Sequence, residues 1–264
     1  MKDIADLKIG FIGYGNMARA IAKGFLGSGI PGERMYACAG DYEKLKTKAA
    51  ADGIHACRDA AETAEKSDLV FIAVKPYMVE QVIRPVRESF RDRTVISVAW
   101  GYHFDSYKDI LPEGTHYLCT CPNTPVAVNQ GIFVTEKKHS LTEEEYKLAE
   151  ALLSRESLVV PVDTGLLPIA GTVSGCGPAF AAMFIEALAD ASVMYGIPRS
   201  TAYALASKML EGTAALQLAT GAHPGAMKDA VCSPSGSTIV GVASLERSGF
   251  RSAVIDAVKA IEEK

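Results

Sequence analysis

Two short segments carry residue types and spacings suited to chemistry. The first is Gly13-Tyr14-Gly15-Asn16-Met17-Ala18, a G-x-G-x-x-A run. It follows the apolar stretch Lys8-Ile9-Gly10-Phe11-Ile12 and precedes residues with helical spacing. Gly13 permits a tight turn, Gly15 lets backbone approach a pyrophosphate, and Ala18 leaves room for a helix to pack on the strand. A helix opening at Asn16 and Met17 presents free N–H groups and the positive end of its dipole to phosphates. In this strand–turn–helix setting the run points to a dinucleotide site. The second segment is Ser233-Pro234-Ser235-Gly236-Ser237-Thr238, rich in hydroxyls and glycine and leading into another helical pattern. Backbone N–H groups in such a turn suit a carboxylate. The same residues suit a plain helix cap, with Ser or Thr filling orphan N–H groups.

Other reactive side chains are sparse. The cysteines stand at 38, 57, 119, 121, 176 and 232. Only Cys119 and Cys121 are close, and no second pair or histidine cluster completes a zinc site, so small buried thiols are expected and no metal. No His–Asp pair or lysine nucleophile stands out, and His223, before Pro224, reads as a surface cap. The identity of a dinucleotide stays open at this point. The second strand ends Cys38-Ala39-Gly40-Asp41, and an acid at that end would favour NAD. Asp41 lies one residue beyond, where it suits a helix cap, and Lys44, Lys46 and Lys48 follow it.

The 264 residues include 48% hydrophobic and 22% charged side chains, with a formal net charge of -4. That composition fits a globular chain with a sizeable core and argues against disorder or a coiled coil. Lacking a basic excess, it gives no reason to expect nucleic acid or an anionic membrane as partner. The acidic start, Met1-Lys2-Asp3-Ile4-Ala5-Asp6, does not read as a secretory leader. Thr164 to Ile185 is charge-free and long enough to cross a bilayer. Its Pro168, Pro178 and four glycines instead suggest a loop leading into a helix, and a cytoplasmic protein is expected.

Through residue 163, strand-like and helix-like segments alternate. Strands are expected at 8–12, 35–38, 69–73, 94–98 and 158–160, with a further strand-like segment before Asn123. Helices are expected at 16–28, at 42–51 and after Thr142, which opens the capping box Thr142-Glu143-Glu144-Glu145. Continuous β-branched runs suit the interior of a parallel sheet, so a doubly wound α/β domain is predicted for 1–163. Residues 164–264 show almost no strand pattern and are predicted all-helical. Phe180, Met183, Phe184, Ala187, Leu188, Ala191 and Met194 form one helical stripe after Pro178. Further helices are expected over 201–220, from His223-Pro224 and from Ser237. So apolar a half suggests helices from two chains packed as an obligate dimer.

Taken in order, the glycine run with Arg19-Ala20-Ile21, Val74-Lys75-Pro76, Pro122-Asn123-Thr124-Pro125, Ser174-Gly175-Cys176-Gly177-Pro178-Ala179-Phe180 and Ser233 to Thr238 resemble the pyrroline-5-carboxylate reductase family. The resemblance covers essentially the whole chain. It implies an N-terminal Rossmann domain, a C-terminal helical dimerisation domain, and reduction of a cyclic imine to L-proline with NADPH or, alternatively, NADH. It also implies a homodimer through the C-terminal helices, gathered in many members into rings of dimers.

By that resemblance Gly13, Gly15, Asn16, Met17, Ala73, Val74, Lys75, Pro76, Ala99, Gly101 and Asn123 bind cofactor. Ser174, Ser233, Gly236, Ser237 and Thr238 bind substrate, and Thr238 hydrogen-bonds the ring nitrogen as the catalytic group. The sequence departs from the family pattern at Trp100, Cys119, Cys121, Cys176, Phe180, Ser235 and Ser237, which bears on substrate range. Rivals are a reductase of another cyclic ketimine, a β-hydroxyacid dehydrogenase relative, and a non-catalytic dinucleotide-binding regulator. The dehydrogenases need a lysine on the long helix after Pro178, and residues 178–195 contain neither lysine nor arginine.

Overall fold

The computed structural model describes residues 4–155 and 157–264. Met1, Lys2 and Asp3 of the segment judged against a leader lie outside the described residues. By packing, the chain divides into two compact units, residues 1–175 and 176–264.

The first unit is built on one eight-stranded sheet. Its strands are β1 (Ile9–Ile12), β2 (Met35–Cys38), β3 (His55–Ala56), β4 (Leu69–Ile72), β5 (Thr94–Ser97), β6 (His116–Pro122), β7 (Gly131–Glu136) and β8 (Ser157–Val162). Their spatial order is β3-β2-β1-β4-β5-β6-β7-β8. All neighbours run parallel except β6 and β7, which are antiparallel, with Thr120 opposite Thr135. The order reverses between β1 and β4, the switch point at which open α/β sheets bind ligands. β1 and β4 are buried at every position, as their unbroken apolar runs require.

Helices α1 (Asn16–Gly27), α2 (Tyr42–Asp52), α3 (Ala60–Glu65), α4 (Val79–Ile83), α5 (Glu143–Leu153) and α6 (Leu167–Gly171) complete this unit. Two apolar clusters form its core. One gathers Phe11, Phe25 and Phe71, with Phe11 and Phe71 stacked at 5.3 Å between centroids. The other gathers Ile72, Phe90, Val95 and Tyr107. The capping box at Thr142 forms as the sequence predicts: its hydroxyl accepts the Glu145 N–H, and Glu145 accepts the Thr142 N–H at 2.8 Å.

One expectation is corrected. Thr164 to Ile185 is not a loop leading into a helix; it is helical almost throughout, with a π-helical turn at Thr172–Cys176. Pro168 sits in the first turn of α6, where no N–H is required of it. Gly171 is there for proximity: a Cβ on it would lie 2.1 Å from Cζ3 of Trp100. The stretch Thr164–Met194 is long and apolar enough to cross a membrane.

The second unit consists of α7 (Gly177–Met194), α8 (Arg199–Thr220), α9 (Pro224–Ala230), α10 (Ser237–Arg247) and α11 (Phe250–Glu262). Pro178 occupies the first turn of α7 as expected. Within the unit α7 packs on α8, and Phe184 meets Phe250 at 5.9 Å. In the single chain its fully buried hydrophobic residues are Ala189, Ala202 and Ala206, whereas Met183, Met194, Leu205 and Leu218 stand exposed. The stripe on α7 is therefore not buried by its own unit.

Candidate functional site: a dinucleotide groove at the sheet switch point

At the carboxyl ends of β1 and β4 lies a groove of about 940 Å³. Its floor is made by the turn after β1, where Gly13 adopts φ +92°. A Cβ on Gly13 would lie 2.8 Å from Val74 and 2.9 Å from the Ala73 carbonyl, so the turn admits only glycine. Gly15 is different: a Cβ there would meet nothing within 4 Å, which leaves its face open to the groove. Gly15 is also the N-cap of α1, and no side chain caps that helix. The first N–H groups of α1 therefore have no side-chain acceptor, the arrangement that a pyrophosphate satisfies.

The turn is clamped from behind by Tyr14. Its hydroxyl donates to Asp52 Oδ2 at 3.1 Å, and Arg19 grips the same carboxylate at 2.6 and 2.9 Å. Burial first, and the Asp52 charge second, push the Tyr14 phenol up, so it stays a neutral donor. Burial alone would raise the Asp52 carboxyl, but hydrogen bonds from Arg19 and Tyr14 and the Arg19 charge outweigh it, and the net direction is down. Tyr14 is an x position of the glycine run, and its role is invisible in the motif.

Most cofactor residues expected from sequence come together here. Gly13, Gly15, Asn16 and Met17 line the groove on the β1 side. Ala73, Val74, Lys75 and Pro76 line it after β4. Lys75 is exposed at the N-cap of the turn Pro76–Met78, and among the described residues no carboxylate forms an ion pair with it. Ala99 and Gly101 instead line a smaller pocket of about 140 Å³, which Trp100 separates from the main groove while touching both. The β5 end is fixed by Ser97: its Oγ accepts the Ala99 N–H at 3.2 Å and lies 2.6 Å from the Tyr107 hydroxyl.

Asn123 is buried and does not line the groove. Its Oδ1 accepts the Ile132 N–H at 2.9 Å, and its Nδ2 donates to the Ser174 carbonyl at 3.1 Å. It joins β7 to the π-helical turn, while its neighbour Thr124 reaches the groove. Ser174 itself is buried, and its Oγ has no hydrogen-bond partner among the described residues. A buried hydroxyl without a partner has unspent hydrogen-bonding capacity.

Ser233, Gly236, Ser237 and Thr238 lie in the second unit. Gly236 N–H donates to the Ser233 carbonyl at 3.0 Å, closing a turn in which Ser235 has φ +58°. A Cβ on Gly236 would fall 2.4 Å from Ser233 Oγ, so a side chain there would require the serine hydroxyl to turn away. Gly236 is the N-cap of α10, and no side chain caps this helix either. The hydroxyls of Ser233 to Thr238 therefore do not cap the first N–H groups of α10. His223, in contrast, caps α9 through Nδ1, which accepts the Gly225 N–H at 3.1 Å.

Sequence reasoning missed Arg58. It lines the β2 end of the groove beside Ala39 and Gly40, and its guanidinium lies 4.3 Å from the centroid of the Tyr42 ring. Its signal in the sequence is slight, an arginine shortly before a helix and beyond the lysines at 44, 46 and 48. Asp41 resolves as the N-cap of α2, accepting the Lys44 N–H at 3.0 Å.

A strand order of 3-2-1-4-5-6, a glycine turn at the switch point and an uncapped helix start define a Rossmann-type dinucleotide-binding oxidoreductase. Residues 8–101 match the family described as NADP oxidoreductase, coenzyme F420-dependent, and residues 165–264 match pyrroline-5-carboxylate reductase dimerisation. The pyrroline-5-carboxylate reductase of Treponema pallidum is 44% identical over 96% of this chain and 98% of its own length. That of Escherichia coli is 38% identical over 98% and 97%. Among solved structures, a Plasmodium falciparum pyrroline carboxylate reductase with NADP bound has a TM-score of 0.88 at 25% identity, covering 99% of this chain and 97% of that one. The chain belongs to the pyrroline-5-carboxylate reductase family.

Proposed function

We propose that this chain reduces 1-pyrroline-5-carboxylate to L-proline with NADPH, NADH being the alternative donor. The observation that carries the reading is likeness over nearly the full length to reductases of that name, together with a groove built for a dinucleotide. When bound, a reduced nicotinamide supplies the hydride; the protein supplies position. Gly13, Gly15, Asn16 and Met17 hold the pyrophosphate against the α1 start. Ala73, Val74, Lys75 and Pro76 border the nicotinamide half, and Ala99, Gly101 and Trp100 shape its far end. Asn123 acts by fixing the Ser174 turn rather than by touching the cofactor.

On the substrate side, the uncapped N–H groups of α10, with Ser233, Gly236 and Ser237, receive the imino acid carboxylate. Thr238 Oγ1 hydrogen-bonds the ring nitrogen and steers its proton, and the unpartnered Ser174 hydroxyl turns to substrate. Holding both reactants in register supplies much of the rate. Residues 1–163 serve as the dinucleotide domain and residues 164–264 as the substrate and dimerisation domain. The dimer joins through α7 to α11 and assembles further into a ring, in the cytoplasm.

Consumption of reduced cofactor in the presence of 1-pyrroline-5-carboxylate tests the reaction; folded protein that turns over neither NADPH nor NADH contradicts it. Thr238→Ala should lower kcat by about 100-fold while cofactor Kd stays within about twofold. Unchanged turnover removes Thr238 from the chemistry.

A further inference from the structure

We infer that Arg58, placed over the Tyr42 ring, receives the 2′-phosphate of NADP(H) and makes this chain favour the phosphorylated dinucleotide. The inference rests on the dinucleotide reading of the groove. On that reading the adenosine ribose lies over the end of β2, next to the glycine turn. A site selective for NAD places a carboxylate there to grip the ribose hydroxyls. Here the position is Gly40, where a Cβ would meet nothing within 4 Å.

The acids nearby each hold a backbone N–H or a lysine. Asp41 caps α2 and pairs with Lys44 Nζ at 3.0 Å, and it does not line the groove. Asp59 does line it, but its Oδ1 accepts the Glu62 N–H at 2.9 Å as the cap of α3. Glu62 accepts the Arg58 N–H and pairs with Lys66 Nζ, each at 2.6 Å. Among the described residues the Arg58 guanidinium forms no ion pair or side-chain hydrogen bond with a carboxylate, Glu62 feeling its charge without pairing with it, and it lines the groove as Gly40 does.

Its support is good. Its backbone N–H is tied to Glu62 and its guanidinium carbon lies over the Tyr42 ring, a cation–π contact. Its guanidinium N–H groups make no side-chain hydrogen bond among the described residues. A preorganised fork matches a phosphate and gains little from a neutral hydroxyl. The open backbone at Gly40 leaves space for the phosphate where an acid would repel it.

Two fragments separate the idea from the parent reading: adenosine 2′,5′-bisphosphate and adenosine 5′-phosphate, titrated calorimetrically into the full chain. The native protein should bind the bisphosphate about 10- to 100-fold more tightly, the range for charge-assisted hydrogen bonds. Arg58→Ala should abolish that ratio and leave adenosine 5′-phosphate within about twofold, which also shows the variant is folded. Arg58→Lys should recover only part of the ratio, and Tyr42→Leu should reduce it. Equal binding of both fragments by the native chain, or an unchanged ratio in Arg58→Ala, overturns the assignment while leaving the groove a dinucleotide site. Binding of neither fragment overturns both.

Discussion

Phe71 in the first unit and Met183 in the second are both large apolar side chains on regular elements. Phe71 is fully buried between Phe11 and Phe25, whereas Met183 is 69% exposed in the single chain. The contrast extends across the two units. The first closes two apolar clusters around its sheet; the second buries only alanines among its fully buried hydrophobics. Exposed apolar surface on that scale marks an interaction site, and the match of residues 165–264 to a dimerisation family says which. The apolar stretch Thr164–Met194 is read in the same way, as an interface helix in its second half. Periodicity reveals that a face is apolar; it does not reveal which molecule covers it.

That difference can be broken from either side. The largest effect is expected from Leu205→Glu with Met209→Glu, one helical turn apart on α8 and both exposed in the single chain. Charge placed in a buried interface is strongly unfavourable. The double variant should sediment as a monomer and lose about 100-fold or more in turnover, while fragment binding at the groove persists. A dimer of full activity would show that α8 is not the interface. Next is Phe71→Ala, which should cost about 3–5 kcal/mol by leaving a cavity in the first unit. Its thermal shift should not depend on protein concentration, whereas melting of the native dimer should; identical behaviour would erase the distinction drawn here.

Gly171→Ala should cost about 1–3 kcal/mol, because Trp100 must yield to the new methyl. Trp100 is the sole tryptophan, so its emission should shift in the variant, and Trp100→Ala should restore stability to Gly171→Ala. An unmoved emission would mean that the ring and the helix do not touch. The smallest effect is expected at the loop clamp. Asp52 has its pKa held below the usual value in the folded state, so its contribution is present above the ordinary carboxylate range, near about 3.9. It is lost as pH falls through the folded pKa. Asp52→Asn should cost about 1 kcal/mol near neutrality and flatten the acid limb of the stability profile. An acid limb identical to the native one would exclude Asp52 from it.

Much of this is legible in the sequence. Strands β1, β2, β4, β5 and β8 announce themselves as apolar runs, and the glycine turn declares its purpose by context. β3 was not legible, since two residues carry no pattern. β7 was missed because it begins with Gly131, ends on the buried Glu136 and is stabilised by pairing with β6 and β8. Glu136 is buried because it accepts the Phe104 N–H at 2.7 Å and bonds Thr164 Oγ1 at 2.5 Å, partners remote in sequence. Prolines and glycines misled over 164–185, where they serve first turns and a close ring contact rather than a loop. Asn123 and Arg58 are hard to place from sequence for a similar reason. A motif marks the first, yet it is a brace within the wall; no motif marks the second, yet it faces the groove.

The most direct test follows the hydrogen itself. The dimer, given 1-pyrroline-5-carboxylate and NADPH deuterated on the transferred face of the nicotinamide, should yield L-proline carrying one deuterium on the former imine carbon. Proline without the label, or no proline from folded dimeric protein, would contradict the account.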